Sequence, residues 1–187
     1  MSSSQGMRPV LAVLFATVVM IGGGATAAAS PAPTADPAQS AAPGVRDVDW
    51  HDATLPLPPV GSCPRNTVDF TDGEGRVDDS IYRFTPDREI HYADVTGEGV
   101  TDALIFMDCG PPASEYSTSL IGMTTRADGT VRALGTVVST GVWTHQPTDV
   151  AVHGGLMAVT ITDIETDRTW IQYYRWAASA RAFVRVG

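Results

Sequence analysis

From Pro64 onward the chain consists of short runs of apolar or alternating residues separated by turn residues. Runs of this length and alternation predict β-strands, and no window of ten or more residues has a clean helical period. We therefore expect an all-β domain of about nine short strands, a single compact meander, sandwich or barrel. Its strands are expected to be largely antiparallel, because links this short cannot form parallel crossovers.

Three segments give the clearest element predictions. The run Ala103–Met107 is continuously apolar and predicts a central strand that is covered on both faces. Residues 127–129, Ala-Asp-Gly, and the pair Gly154-Gly155 each separate two strand-like runs. Both predict β-hairpins, because glycine and aspartate tolerate the backbone angles that tight turns need.

The strand predicted from Thr169 to Trp176 is rich in aromatic residues. By alternation, one of its faces carries Trp170, Gln172, Tyr174 and Trp176, and the other carries Ile171, Tyr173 and Arg175. Large aromatic side chains on both faces indicate a strand that packs on both sides. The alternative is an exposed ladder of Trp170, Tyr174 and Trp176, which would suit binding of carbohydrate or peptide.

The first 29 residues have the pattern of a secretory signal peptide. A start whose only charged side chain is Arg8 precedes the apolar run 10–21 and a stretch of small residues with alternative Ala-x-Ala cleavage sites. The run is shorter than the roughly 20 residues that span a bilayer, although an uncleaved anchor is the alternative. No cysteine lies at the end of this run, where a lipid would be attached. We therefore expect cleavage, a secreted, extracellular protein and no stable membrane insertion afterwards.

Residues 30–60 are predicted to be an Ala/Pro-rich disordered linker, and residues 61–187 the β-rich secreted domain. The stretch 30–44 contains no large apolar residue that could be buried. Within the remainder, Trp50 and Leu57 are available to dock onto the domain, while three prolines argue against a helix.

The charge of the chain limits its partners. It contains arginine but no lysine, and 12 basic residues stand against 21 acidic ones. A strongly negative protein disfavours nucleic acid and anionic membranes as partners, so we expect no nucleic-acid binding. The arginines are scattered along the sequence, as on a solvated surface.

The chain has two cysteines, Cys63 and Cys109. In an exported protein an even number of cysteines predicts a disulfide bond. Closing a loop of this length would stabilise the fold by roughly 3–4 kcal/mol in the chain-entropy model. Two free, buried thiols are the alternative.

The segment from Asp94 to Asp102 has the frame D-x-T-x-E-G-x-x-D. It resembles the acidic calcium loops of FG-GAP and VCBS β-repeat proteins, which also precede a strand. The resemblance implies calcium as a candidate ligand, with Asp94, Thr96, Glu98 and Asp102 as its ligands. The alternative is a strand–turn–strand connection in which Asp94 and Thr96 bond to backbone amides.

A second resemblance extends over most of the domain. Cys63-Pro64, the block 92–99 and the run from Asp102 to Cys109 resemble small actinobacterial secreted proteins and envelope lipoproteins. That family has no assigned activity. The resemblance therefore implies export, the Cys63–Cys109 bond and a β-fold, and it implies no chemistry.

Motifs for catalysis are missing from the sequence. There is no G-x-S-x-G nucleophile elbow and no glycine-rich phosphate loop before a helix, so we name no catalytic residue. The leading hypothesis is an exported, non-catalytic β-domain that binds envelope carbohydrate or protein, or has a structural role. The alternatives are a calcium-stabilised module and a hydrolase, which would need a pocket that gathers two or more of His91, His145 and His153 with carboxylates.

Overall fold

The computed structural model describes residues 43–114 and 116–187. The predicted signal peptide and linker residues up to 42 lie outside this part. The prediction of a compact, all-β, antiparallel domain is confirmed, with twelve strands in place of about nine. The strands are β1 (Thr54–Leu57), β2 (Asn66–Asp69), β3 (Glu74–Val77), β4 (Ser80–Phe84), β5 (His91–Ala93), β6 (Asp102–Gly110), β7 (Ser117–Thr125), β8 (Val131–Ser139), β9 (His145–His153), β10 (Leu156–Asp163), β11 (Arg168–Ala177) and β12 (Ala182–Arg185).

A six-stranded sheet lies at the centre of the domain. Its order is β3-β4-β6-β7-β8, and β5 pairs with the part of β6 that β4 leaves free. Every residue of β6 is buried, because other elements cover both faces of this strand. Burial on both faces explains why its sequence is almost continuously apolar instead of alternating.

Two hydrophobic cores lie on opposite faces of this sheet. Core 1 joins alternate residues of β6, among them Ile105 and Met107, to the β1–β2 hairpin and the segment before it. Core 2 joins Leu104 and Phe106 to a four-stranded sheet with the order β12-β11-β10-β9. Successive side chains of β6 thus enter different cores, as the alternation of a strand requires.

The segment before residue 61 belongs to the fold. Two short 3-10 helices, Val45–Asp47 and Trp50–Asp52, precede β1, and Val45, Trp50 and Leu57 are buried in core 1. The predicted linker boundary at residue 60 is therefore wrong for residues 45–60. The prolines that argue against a helix are compatible with β1, since Pro56 lies in a strand that, among the described residues, pairs with β2 alone.

Both predicted hairpins are present. Residues 126–130 connect β7 to β8, and Gly154-Gly155 connect β9 to β10, with φ angles of 55° and 75° that favour glycine. Strand β8 continues through Gly135, and its register with β7 shifts near that residue. Among the described residues, no helix has the length and apolar character needed to cross a membrane.

Candidate functional site

Four arginines line two adjoining cavities at one edge of the central sheet. Arg65, Arg126 and Arg132 line both cavities, and Arg181 lines the second. The cavities have volumes of about 610 and 660 Å³. Volumes of roughly 300–1,000 Å³ are typical of sites for small organic ligands. We call the two cavities together the arginine cleft.

Strand β8 organises this cleft. It is an edge strand of the six-stranded sheet, and its residues 131–134 line the cavities. Val131, which packs towards core 1, lines the first cavity, and Leu134, which belongs to core 2, lines the second. Arg132 contributes to both.

The remaining arginines reach the cleft from separate turns. Arg126 begins the β7–β8 turn, Arg65 immediately precedes β2, and Arg181 ends the turn between β11 and β12. The backbone amide of Arg126 donates a hydrogen bond to the carbonyl of Thr130 at 2.8 Å, which fixes the turn. Four guanidinium groups from distant parts of the chain are thus brought to one edge of the sheet.

Within the described part of the chain, no ion pair joins these four guanidinium groups to a carboxylate, although Asp128 lies near enough to Arg126 to interact with its charge. Within residues 43–114 and 116–187, the ion pairs are Arg76–Glu74 at 3.2 Å and Arg83–Asp108 at 3.1 Å. Neither pair includes an arginine of the cleft. A concentration of unpaired positive charge in a protein of net charge −9 produces a local potential opposite to that of the whole molecule.

The rest of the lining differs between the two cavities. The first is completed mainly by Pro56, Leu57, Asn66 and Thr67 from the β1–β2 hairpin. The second contains the indole of Trp176, whose ring meets that of Phe183 edge-to-face at a centroid distance of 5.1 Å. It also contains Glu98, the acidic residue of the cleft lining.

The predicted calcium loop is organised by hydrogen bonds to Asp94. Its Oδ1 accepts from the amides of Gly97 and Glu98 at 2.7 and 3.2 Å, and its Oδ2 accepts from the amide of Gly99 at 2.7 Å. The hydroxyl of Thr96 donates to Oδ1 at 3.4 Å. Burial by itself would raise the pKa of Asp94, but these hydrogen bonds outweigh it and lower the pKa below its ordinary value.

Asp102 lies at the other end of the loop and points into the protein. Its side chain is buried, and its Oδ2 accepts a hydrogen bond from the amide of Val95 at 3.1 Å. Burial raises the pKa of Asp102, although hydrogen bonds from Thr124 and the Val95 amide oppose this rise. Glu98 is exposed and lines the arginine cleft instead.

The described residues contain no group of three histidine, cysteine, aspartate or glutamate side chains placed to hold a metal ion. The bonds from backbone amides to Asp94 match the strand–turn–strand alternative, whereas the hydroxyl of Thr96 bonds to the carboxylate of Asp94 instead of to a backbone amide. Calcium binding by Asp94, Thr96, Glu98 and Asp102 stays a prediction.

The aromatic ladder of β11 is packed and not exposed. Tyr174 is buried in core 2, and Trp170 and Trp176 pack against the same core. The interpretation of these three residues as an exposed binding ladder is therefore wrong, because the four-stranded sheet turns this face towards the central sheet. The expectation that the strand packs on both sides is also wrong, because Ile171 and Tyr173 on its other face are exposed. Trp176 contributes to the cleft only through the part of its ring that borders the second cavity.

Cys63 and Cys109 are joined by a disulfide bond, with their Cα atoms 6.2 Å apart. Both residues are buried in core 1. The bond connects the segment that follows β1 to the end of β6, and Arg65 lies two residues after Cys63. The disulfide thus helps to fix the chain where it enters the cleft.

The three histidines that a hydrolase would need lie apart from one another. The ring of His91, on β5, meets Phe106 at 6.1 Å, whereas that of His145, at the start of β9, meets Trp170 at 5.0 Å. His153 ends β9 on the exposed surface. None of them lines the arginine cleft. The gathering of histidines expected for a hydrolase does not occur at these residues.

Sequence analysis missed the arginine cleft because its members are separated by up to 116 positions. A partial signal was present, since the predicted hairpin at residues 127–129 places Arg126 at the turn and Arg132 on the strand that follows it. The approach of Arg65 and Arg181 depends on tertiary packing and leaves no local pattern.

Comparison with known proteins completes the description of the site. No protein-family model, no curated protein and no solved structure matches this chain significantly. The resemblances to actinobacterial secreted proteins and to FG-GAP and VCBS loops stay predictions from the motifs quoted above.

Proposed function

We propose that this protein is an exported, non-catalytic β-domain that binds an anionic ligand in the arginine cleft. The observation that carries the proposal is the convergence of Arg65, Arg126, Arg132 and Arg181 without an ion-paired carboxylate. A guanidinium group presents a planar set of donors that matches the oxygen atoms of a carboxylate or phosphate. Several such groups around one cavity favour a ligand with more than one negative charge.

Export is supported by the signal-like pattern of residues 1–29 and by the Cys63–Cys109 bond, since disulfides persist mainly in oxidising compartments. A binding role has more support than hydrolysis, because His91, His145 and His153 lie apart from one another in the described part of the chain. The partner is therefore an anionic component of the envelope or of the medium.

Citrate, a small tricarboxylate, is a suitable first probe. We expect the purified protein to bind citrate in calorimetric titration at constant ionic strength, with a dissociation constant in the micromolar to millimolar range. Replacing Arg65 and Arg132 together by glutamine should weaken binding at least about tenfold, since hydrogen bonds to charged groups contribute ~1.5–3 kcal/mol each.

The matched control replaces Arg168 and Arg175 by glutamine. Both arginines are exposed on β11 and lie outside the cleft lining, so the change in net charge is the same. Equal loss of binding in both variants would indicate a general effect of charge. That result, or failure of the unaltered protein to bind citrate, would contradict the proposal.

A further inference from the structure

The cleft offers more than positive charge, and its other groups restrict the class of ligand. Arg65, Arg126 and Arg132 line both cavities, which extend from these shared residues towards the β1–β2 hairpin in one case and towards Trp176 and Arg181 in the other. A ligand that fills both must be extended across the edge of the strand. A single small anion would occupy the junction and leave the outer parts of both cavities to water.

The second cavity combines a flat apolar ring with hydrogen-bonding groups. Trp176 is held by core 2 and by its contact with Phe183, so the part of its ring that borders the cavity is fixed in place. Arg181 and the carboxylate of Glu98 line the same cavity. Glu98 repels anionic groups but accepts hydrogen bonds from hydroxyls.

The first cavity is also suited to hydroxyl groups. Thr67 supplies a hydroxyl that can donate and accept, beside Pro56, whereas the Oδ1 atom of Asn66 already accepts a hydrogen bond from the Thr67 amide at 2.9 Å. Sugar rings have this combination of properties, because each ring has an apolar face of C–H groups and a rim of hydroxyls. The arginines at the junction additionally require an anionic substituent.

We propose, on the basis of the anion-binding function above, that the ligand is an acidic oligosaccharide that lies across β8. An anionic group of one sugar unit contacts Arg65, Arg126 and Arg132 at the junction. The adjoining unit stacks on Trp176, where Arg181 binds a second anionic group and Glu98 accepts from a hydroxyl. Carboxylates and phosphates share the chemistry that arginine recognises, so the test includes both.

The test compares ligands of increasing length. Galacturonate and its linear tetramer form the carboxylate arm, and mannose 6-phosphate and a phosphodiester-linked mannose tetramer form the phosphate arm. In at least one arm we expect the tetramer to bind the purified protein at least about tenfold more tightly than the single unit, because linked units engage both cavities at once. A neutral galactose tetramer should not bind.

Two variants locate the second unit. Arg181→Gln and Trp176→Ala should each weaken binding of the acidic tetramer several-fold, and by a clearly larger factor than they weaken binding of the single unit. Arg181 is exposed in a turn, so its replacement keeps the fold even if loss of Trp176 disturbs core 2. Arg168→Gln and Trp143→Phe are the matched controls, because both residues are exposed and lie outside the cleft lining.

The possible results separate the two proposals. If citrate binds but neither tetramer exceeds its single unit, the oligosaccharide proposal is overturned and the anion-binding function remains. If tetraglutamate binds as tightly as the better acidic tetramer and Trp176→Ala has no effect, the ligand is an acidic peptide and the proposal is also overturned. If no anion binds, both proposals are wrong.

Discussion

Asp94 and Asp102 are only eight positions apart, yet the fold shifts their acidities in opposite directions. Asp94 accepts three backbone amides of its own loop, whereas Asp102 is 1% exposed. Bonds from amides stabilise the charged carboxylate, and burial favours the protonated form. Identical side chains in one short motif therefore have different roles, one organising the loop and one anchoring it to the sheet.

We predict that Asp102→Asn changes the pH dependence of stability. The pKa of Asp102 is raised in the folded state, so between the ordinary value and the raised one the folded protein binds more protons than the unfolded chain. Its ionisation therefore destabilises the fold as pH rises through this window. The free energy of unfolding of the variant, minus that of the unaltered protein, should increase from pH 3.5 to pH 7 in urea denaturation.

Asp128→Asn is the control of opposite sign. Hydrogen bonds from the hydroxyl and amide of Thr130 lower the pKa of Asp128 in the folded state. Its charged form therefore stabilises the fold at pH values above the ordinary pKa of aspartate, and this stabilisation is lost as the pH falls. The same difference in unfolding free energy should decrease as pH rises. If both variants changed in the same direction, the assignment of the two environments would be incorrect.

At the level of elements, the contact between β7 and β12 helps to hold the two sheets together. A Cβ atom added to Gly122 of β7 would lie 2.7 Å from the Cζ atom of Phe183 on β12. Only glycine therefore permits this close approach. We predict that Gly122→Ala lowers the free energy of unfolding by about 1–3 kcal/mol, because a well-packed core resists added volume.

Phe183→Leu provides the matching test, since its shorter side chain should leave room for the alanine methyl group. The loss of unfolding free energy in the double variant should be smaller than the sum of the losses in the two single variants, by at least about 0.5 kcal/mol in a double-mutant cycle. Strictly additive losses would show that the two positions do not interact.

The sequence revealed elements wherever the signal was local. Residues 127–129 and Gly154-Gly155 specify their own turns, and the apolar run of β6 reflects burial on both faces. By contrast, β1 contains Pro56 and was not predicted as a strand, although an edge position tolerates it. Strand β3 begins inside an acidic segment whose residues are typical of a turn.

The arginine cleft forms only in the whole molecule, and no local sequence pattern predicted it. Arg65 and Arg181 are far apart in sequence, and their approach depends on how the β1–β2 hairpin and the β11–β12 turn flank β8. The acidic composition even argued against an anionic partner. Net charge describes the long-range field of a protein, whereas a binding site depends on the charges within a few ångströms.

The disulfide bond between Cys63 and Cys109 contributes to the stability of the whole molecule, and this contribution can be measured. We predict that replacing both Cys63 and Cys109 by alanine lowers the free energy of unfolding by roughly 3–4 kcal/mol, since the bond closes a loop with a sequence separation of 46. Urea denaturation of the unaltered protein under reducing conditions should give nearly the same loss. A loss below about 1 kcal/mol in both samples would contradict the expected constraint on the unfolded chain.

The arginine cleft also determines how a bound anion could be released. Neither histidine nor lysine lines it, and guanidinium groups keep their charge at every pH at which proteins remain folded. Apart from Glu98, the described lining therefore has no side chain that gains a proton on acidification. Acidification of the surroundings leaves the positive charge of the arginines unchanged. An anion held there would dissociate when its own acidic groups become protonated, so the chemistry of the ligand, and not that of the protein, would set the pH of release.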